Sequence, residues 1–269
     1  MSELKDLSVL LTRPEHQTEE LRQLIQKGGG NPVPFAVTKI IPMDGNHLLE
    51  PLFRDKISKT DLAIFVSPNA VTFGIKLLEK HALALPSDCK ILAVGPGTAK
   101  LIEHNRLKVH DYPKAHFNSE ALLALPSLDQ IEGKHVLIVR GLGGREKIAR
   151  ELLIRKAIVC QLPCYKRLPS KDLDTSVLDT FYREKKPAIV FTSVSAVDHF
   201  MLLNSAENLM SAPSLFVVVS SDRIAAHCSS LGFKGQVIVA NNAGAPAILA
   251  ALERVFVATS VNNGIKNHA

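Results

Sequence analysis

The sequence predicts an α/β protein of two similar domains, each a doubly wound parallel sheet, and three observations carry that expectation. The chain reads twice: Val9-Leu10-Leu11-Thr12-Arg13 returns as Val136-Leu137-Ile138-Val139-Arg140, Ile64 to Val71 as Val190 to Val197, and Ser119 to Leu125 more faintly as Ala245 to Ala251. The offsets are 127 for the first pair and 126 for the other two, the size of a small domain and too long for a solenoid unit. Each copy also alternates short apolar runs with helical patterns. The length, 269 residues, suits two domains that each bury a core. Two domains leave a central cleft, where small ligands bind.

In the first copy Leu7 to Thr12 reads as a buried strand, and Pro14 opens a helix to about Lys27, stopped by Gly28-Gly29-Gly30. Val33 to Ile41 is extended, and Leu62 to Val66 is a strand followed by a helix from Ala70. Lys90 to Val94 is a strand, Gly95-Pro96-Gly97-Thr98 leads into a helix, Lys108 to Tyr112 is a short strand, and Asn118-Ser119-Glu120 caps the closing helix. The second copy runs in step. Strands fall at Lys134 to Val139, Ala188 to Thr192, Leu215 to Val219 and Gln236 to Ala240, with Ile158 to Leu168 extended. Helices start at Arg145, Ser195, Ser221 and Ala245, the last ending near Phe256. Residues 259–269 are polar and Asn-rich, which predicts a disordered tail. Pattern alone puts the domain boundary between the copies, near Asp129 to Gly133.

Composition narrows the function classes. No apolar run approaches the roughly 18 residues of a membrane span, and the mixed-charge N-terminus shows no secretory signal, so a cytoplasmic protein is expected. The four cysteines are scattered and read as buried free thiols; Cys160 and Cys164 share a strand face, but no second pair completes a metal site. A net charge of +6 suggests an anionic partner. The basic residues are spread, and the densest cluster, Arg140 to Lys156, has no interleaved aromatics for base stacking, so nucleic acid is disfavoured.

Small, hydroxylated and glycine residues occupy the loops after most strands in both copies: Thr12-Arg13-Pro14, Ser67-Pro68-Asn69-Ala70, Gly95 to Thr98 and Asn118-Ser119, then Arg140 to Arg145, Ser193 to Ala196, Ser220 to Arg223 and Ala243-Gly244. Helix starts offer free N–H groups and the positive dipole end to carboxylates or phosphates. Each loop alone is better read as an ordinary cap or turn; eight in two matching sets shift the balance toward a polyanion receptor. Nucleotide motifs are incomplete: Gly95-x-Gly97 lacks a third glycine, and Gly141 to Gly144 has no Lys-Ser/Thr behind it. No G-x-S-x-G, H-E-x-x-H or paired-carboxylate motif appears. Tyr165, in an extended run, either packs a linker or serves as a phenol donor facing the cleft.

At these residues the chain resembles the uroporphyrinogen-III synthase family over about residues 7 to 253. The resemblance rests on Leu11-Thr12-Arg13-Pro14, Phe65-Val66-Ser67-Pro68-Asn69-Ala70-Val71, Ala93-Val94-Gly95-x-x-Thr98-Ala99, Arg140-Gly141 with Gly144-Arg145-Glu146, Cys164-Tyr165-Lys166-Arg167, and Phe191-Thr192-Ser193-x-Ser195-Ala196-Val197. The resemblance implies two α/β domains joined by a two-stranded linker, with the first βα unit packing against the later chain. One domain then spans residues 1–36 plus 170–258, the other 42–163, with linkers at 36–41 and 164–169.

It also implies a lyase that cyclises hydroxymethylbilane to uroporphyrinogen III, inverting ring D through a spiro intermediate, as a monomer and with no cofactor or metal. The substrate carries eight carboxylates, which suits a basic protein with many anion-ready helix starts. Tyr165 takes the role of acid. Ser67, Asn69, Ala70, Thr98, Ser193, Ser195 and Ala196 are expected to hold carboxylates, with Arg13, Arg140 and Arg145 as partners. Many family members carry a Gly-x-Thr-Thr-like loop where this chain has Ser220-Ser221-Asp222-Arg223; Asp222 opposes a carboxylate, and Ser221 and Arg223 are that loop's candidates. The competing reading is a non-catalytic two-domain receptor for a polyanionic metabolite.

Overall fold

In a computed structural model the described residues are 4–46, 50–143, 146–203, 215–233 and 235–265, of which 256–265 are described by backbone only. The chain divides into two compact units, Met1–Lys39 with Leu168–Ala269, and Ile40–Arg167.

The first unit is built on a five-stranded sheet of order β10-β9-β8-β1-β2. Its strands are β1 (Leu7–Leu11), β2 (Asn31–Pro34), β8 (Lys186–Phe191), β9 (Phe216–Val219) and β10 (Gln236–Val239). The second unit carries the order β3-β7-β6-β4-β5, with β3 (Thr38–Pro42), β4 (Leu62–Phe65), β5 (Lys90–Ala93), β6 (His135–Gly141) and β7 (Ile158–Pro169). The registers that join β1 to β2 and β8, β9 to β8 and β10, and β6 to β4 and β7 are all parallel. Parallel strands buried on both faces explain the unbroken apolar runs.

Side-chain alternation gives each sheet two cores. In the first unit Leu10 points to the face covered by α7 (Ser176–Phe181), α8 (Val194–Leu203) and α9 (Asp222–Ser230), where Phe35, Phe181, Phe191 and Phe200 pack. Val9 and Leu11 point to the face covered by α1 (Glu19–Lys27) and α10 (Ala245–Ile265). In the second unit Leu137 and Val139 meet α3 (Pro68–Lys80) and α4 (Pro96–His104), with α2 (Pro51–Ser58) adding Ile57. Val136 and Ile138 meet α5 (Ser119–Leu123) and α6 (Lys147–Ile154).

Several expectations are corrected. The boundary read near Asp129 to Gly133 fails because β6, just beyond it, pairs with β4 before it and β7 after it. The expected helix from Pro14 is a 3-10 turn at Glu15–Gln17 and then α1, because Thr18 breaks the run and its hydroxyl bonds back to the Glu15 carbonyl. Val33 to Ile41 divides into β2 and β3. Lys108 to Tyr112 forms only an isolated bridge from Asp111 to Leu92. Residues 259–265 are helical, not disordered: α10 continues to Ile265 because no glycine or proline interrupts residues 247–263, while 266–269 lie outside the described residues. The sequence reading missed α2 and α7, both short.

Candidate functional site

All of the candidate loops but Asn118-Ser119, which follows only the isolated bridge at Asp111, lie at the carboxyl ends of strands in their sheets, the edge where doubly wound folds take ligands. In the second unit β4 delivers the chain into Ser67, which caps α3: its Oγ accepts from the Ala70 N–H at 3.1 Å, and Pro68 fills the first helical position. Asn69 is half-buried, and Ala70 and Thr98 are buried on the first turns of α3 and α4.

Tyr165 comes to the same place from β7. The register of β6 against β7 shifts between Arg140 and Gly141, so that Gly141 faces Tyr165, and the Leu142 N–H donates to the Tyr165 carbonyl at 2.7 Å. This irregularity re-aims the side chain. The ring lies 5.7 Å from that of Phe73 and flat against Gly141, where a Cβ would stand 2.6 Å from Tyr165 Cζ. Only glycine seats the tyrosine there.

The phenol oxygen accepts from Arg167 Nη2 at 2.8 Å and lies 3.1 Å from Ser67 Oγ, and the guanidinium carbon sits 5.0 Å from the ring centroid. Tyr165 is only 1 % exposed. Sequence reasoning gave Arg167 no role, although residues two apart on a strand share a face and the spacing from Tyr165 signalled it. Gly141 belongs to the Arg140-Gly141 motif, and nothing in that motif signals its fit to the ring.

Arg140 turns inward. Its guanidinium donates to Gln161 Oε1, to Glu146 Oε1 at 2.8 Å and to the Gly143 carbonyl at 2.6 Å, so it ties the β6–α6 loop to β7. A hydrogen bond from Gln161, reinforced by Arg140, holds the Glu146 carboxyl below the usual carboxylate range. Behind the loop the Cys164 Sγ donates to the Arg140 carbonyl at 3.3 Å, and burial pushes that thiol up to about 12. Arg145 lies outside the described residues.

The remaining candidates belong to the first unit. Ser193 accepts from the Ala196 N–H at 3.1 Å and lies 3.2 Å from Ser195 Oγ. Arg13 donates to Gln17 Oε1 at 3.1 Å and to the Ala243 carbonyl at 3.2 Å, and burial lowers its pKa. Ser221 caps α9 without a side-chain hydrogen bond, and Arg223 is exposed. A depression of about 440 Å³ lined by Lys59, Asp61, Lys90 and Lys134 sits at the opposite, amino edge of the second sheet and includes none of these residues.

A family model described as uroporphyrinogen-III synthase HemD matches residues 19–250. A uroporphyrinogen-III synthase of Escherichia coli K12 is 30 % identical over 92 % of this chain and 100 % of its own length. One from Proteus mirabilis is 36 % identical over 60 % of this chain and 81 % of its own. Two solved structures share the fold. A mutant uroporphyrinogen III synthase of Thermus thermophilus has a TM-score of 0.61 at 18 % identity, covering 93 % of this chain and 98 % of its own. The uroporphyrinogen-III synthetase of Helicobacter pylori 26695 has a TM-score of 0.58 at 16 % identity, covering 94 % and 99 %.

Proposed function

We infer the function from one premise: the chain belongs to the uroporphyrinogen-III synthase family. It is a lyase of tetrapyrrole biosynthesis that cyclises hydroxymethylbilane to uroporphyrinogen III with inversion of ring D. The reaction expels the hydroxymethyl oxygen to leave an electrophilic azafulvene. Ring D attacks through its substituted carbon, and the spiro intermediate fragments and recloses. The protein has to assist the departure of hydroxide and hold ring D against direct closure.

In our reading Tyr165 is the acid for the first step. The observation that supports it is the phenol oxygen clamped by Ser67 and Arg167 at the carboxyl edge of its sheet. A proton donor is useful only where it is positioned, and a packed ring on a strand is a rigid mount. Asn69 and Thr98 of one unit, with Ser193, Ser195 and Ser221 of the other, offer hydroxyls and helix-start N–H groups to the acetate and propionate carboxylates, while the Ala70 and Ala196 N–H groups are given to the caps Ser67 and Ser193 and shape those turns. Arg13 and Arg223 add charge, as does Arg145. Arg140 acts through the loop it holds. We further propose that the protein works as a cytoplasmic monomer without nucleic-acid partners. Among the described residues, no helix is long and apolar enough to cross a membrane.

The test supplies hydroxymethylbilane and resolves the product isomers. Formation of only the I isomer, which arises spontaneously, overturns the function. Tyr165→Phe is expected to lower kcat about 100-fold with KM little changed, the scale of a lost general acid. Unchanged kcat removes Tyr165 from that role.

A further inference from the structure

We propose that Ser67, not Tyr165 itself, hands the proton to the departing hydroxyl, so that Tyr165 and Ser67 form a relay, oriented by Arg167, whose open end is Ser67. The proposal rests on the reading of Tyr165 as the acid and deepens it. It follows from counting donors and acceptors.

A guanidinium only donates, so the phenol oxygen is an acceptor toward Arg167 at 2.8 Å. A backbone N–H also only donates, so Ser67 Oγ is an acceptor toward Ala70 at 3.1 Å. The Ser67–Tyr165 bond at 3.1 Å runs in one of two directions. If Ser67 donates, the phenol proton is left in a shell closed by Phe73 and Gly141, on a residue 1 % exposed, without an acceptor among the described residues. A buried donor without an acceptor is costly. If Tyr165 donates, both buried groups are satisfied. The free O–H then belongs to Ser67, which is half-buried at the start of α3. The proton that faces outward is the serine's.

The step balances. The C–O bond of the hydroxymethyl group breaks with its electron pair on oxygen, and the Ser67 proton joins that oxygen to make water. The phenol proton moves to Ser67 Oγ, leaving a phenolate beside the Arg167 guanidinium, a charge-assisted contact. The proton that ring D releases on regaining its aromatic pyrrole returns through Ser67 to Tyr165. Arg167 is thus a positioning residue that fixes which way the phenol donates.

The test compares kcat, KM and isomer ratio in single and double variants. Ser67→Asn keeps a capping oxygen for Ala70 but removes the O–H, and should lower kcat about 100-fold while the melting temperature holds. Ser67→Thr should recover at least ten-fold of that loss. Arg167→Met should lower kcat more than it raises KM, with Arg167→Lys recovering part. Combining Ser67→Asn with Tyr165→Phe should cost no more than either alone, because both break one path. Ser67→Asn within ten-fold of wild type, with Tyr165→Phe inactive, overturns the relay and leaves Tyr165 donating directly; losses that multiply in the double variant overturn it as well. If Tyr165→Phe keeps full kcat, the parent reading fails, and the relay with it.

Discussion

In the unit formed by residues 40–167, Leu137 faces Cys160 across β6 and β7; in the other unit Leu10 faces Val33 across β1 and β2, each residue offset by the same 127 positions. The next pair repeats the agreement: Ala188 faces Phe216 where Leu62 faces Lys90, each offset by 126. One backbone plan is therefore filled in two ways. Where the first unit has Phe200, packed 5.4 Å from Phe191 and 6.4 Å from Phe35, the second has Gly74, whose absent side chain lets α3 approach Val139 and Cys164. Beside them, His199 bonds to Thr38 at 2.8 Å in the first unit, while Phe73 packs on Tyr165 in the second. Thr38 and Tyr165 are themselves 127 apart. The first unit spends its aromatics on filling the core. The second draws its helix inward and holds an aromatic hydroxyl at the ligand edge. In our reading duplication supplies a matched pair of grips, and the proposed chemistry needs only one of them altered.

The largest effect should come from breaking the filling of the first unit. Phe200→Ala removes a fully buried ring from a cluster of phenylalanines and should cost about 3–5 kcal/mol of stability. Gly74→Ala at the matching position should also destabilise, by overpacking against Val139, but by about 1–3 kcal/mol. Denaturant midpoints at constant slope measure both. A Phe200→Ala cost below that of Gly74→Ala would mean that the two positions do not do opposite jobs.

Gly141→Ala sharpens the same comparison at the site. The new Cβ would stand 2.6 Å from Cζ and 2.7 Å from Cε2 of Tyr165, both in a stiff ring, so the tyrosine has to leave its seat. A loss of kcat of about 100-fold is expected, close to that of Tyr165→Phe. Isomer analysis reads it, because slowed turnover lets the I isomer accumulate. Full activity would show that the seat of the ring is irrelevant to the reaction.

These contrasts also mark what was legible in the sequence. The repeat offsets of 126 and 127 reappear as strand registers because parallel strands buried on both faces must keep their apolar runs aligned. The capping role of Ser67 and Ser193 was readable, since a hydroxyl before a helix run has a local cause. Pattern could not reveal that β1, with β2 on its other side, joins β8 rather than β4: the β1, β4 and β8 runs are all apolar, and pairing is decided by packing across more than 150 residues. Only the family resemblance pointed to that crossing. The roles of Gly141 and Arg167 were hidden for a different reason. A glycine in a loop and a cation on an extended run have ordinary explanations until the ring between them is placed. Arg140 reads as a carboxylate partner because its charge is visible in sequence, while its inward partners Gln161 and Glu146 are not.

The smallest predicted effect separates the two matched arginines. Arg13 of the first unit is held by the neutral acceptors Gln17 and the Ala243 carbonyl, whereas Arg140 of the second also meets the Glu146 carboxylate. Glu146 is half exposed, its side chain retaining 56 % of its accessibility, so the pair is worth only about 0.2–1 kcal/mol. Because the folded carboxyl lies below the usual range, the contribution is complete above the unfolded value, near 4.3, and fades as pH falls through the lower folded one. Glu146→Gln keeps an acceptor oxygen but no charge. It should be slightly less stable than wild type at neutral pH, and the gap should narrow as pH falls below the unfolded carboxylate range and close once the folded Glu146 carboxyl is itself protonated. A gap that persists at a pH where an NMR titration shows the folded Glu146 carboxyl protonated would mean that the carboxylate charge is not what holds the loop, and that the two arginines are anchored by the same neutral bonds after all.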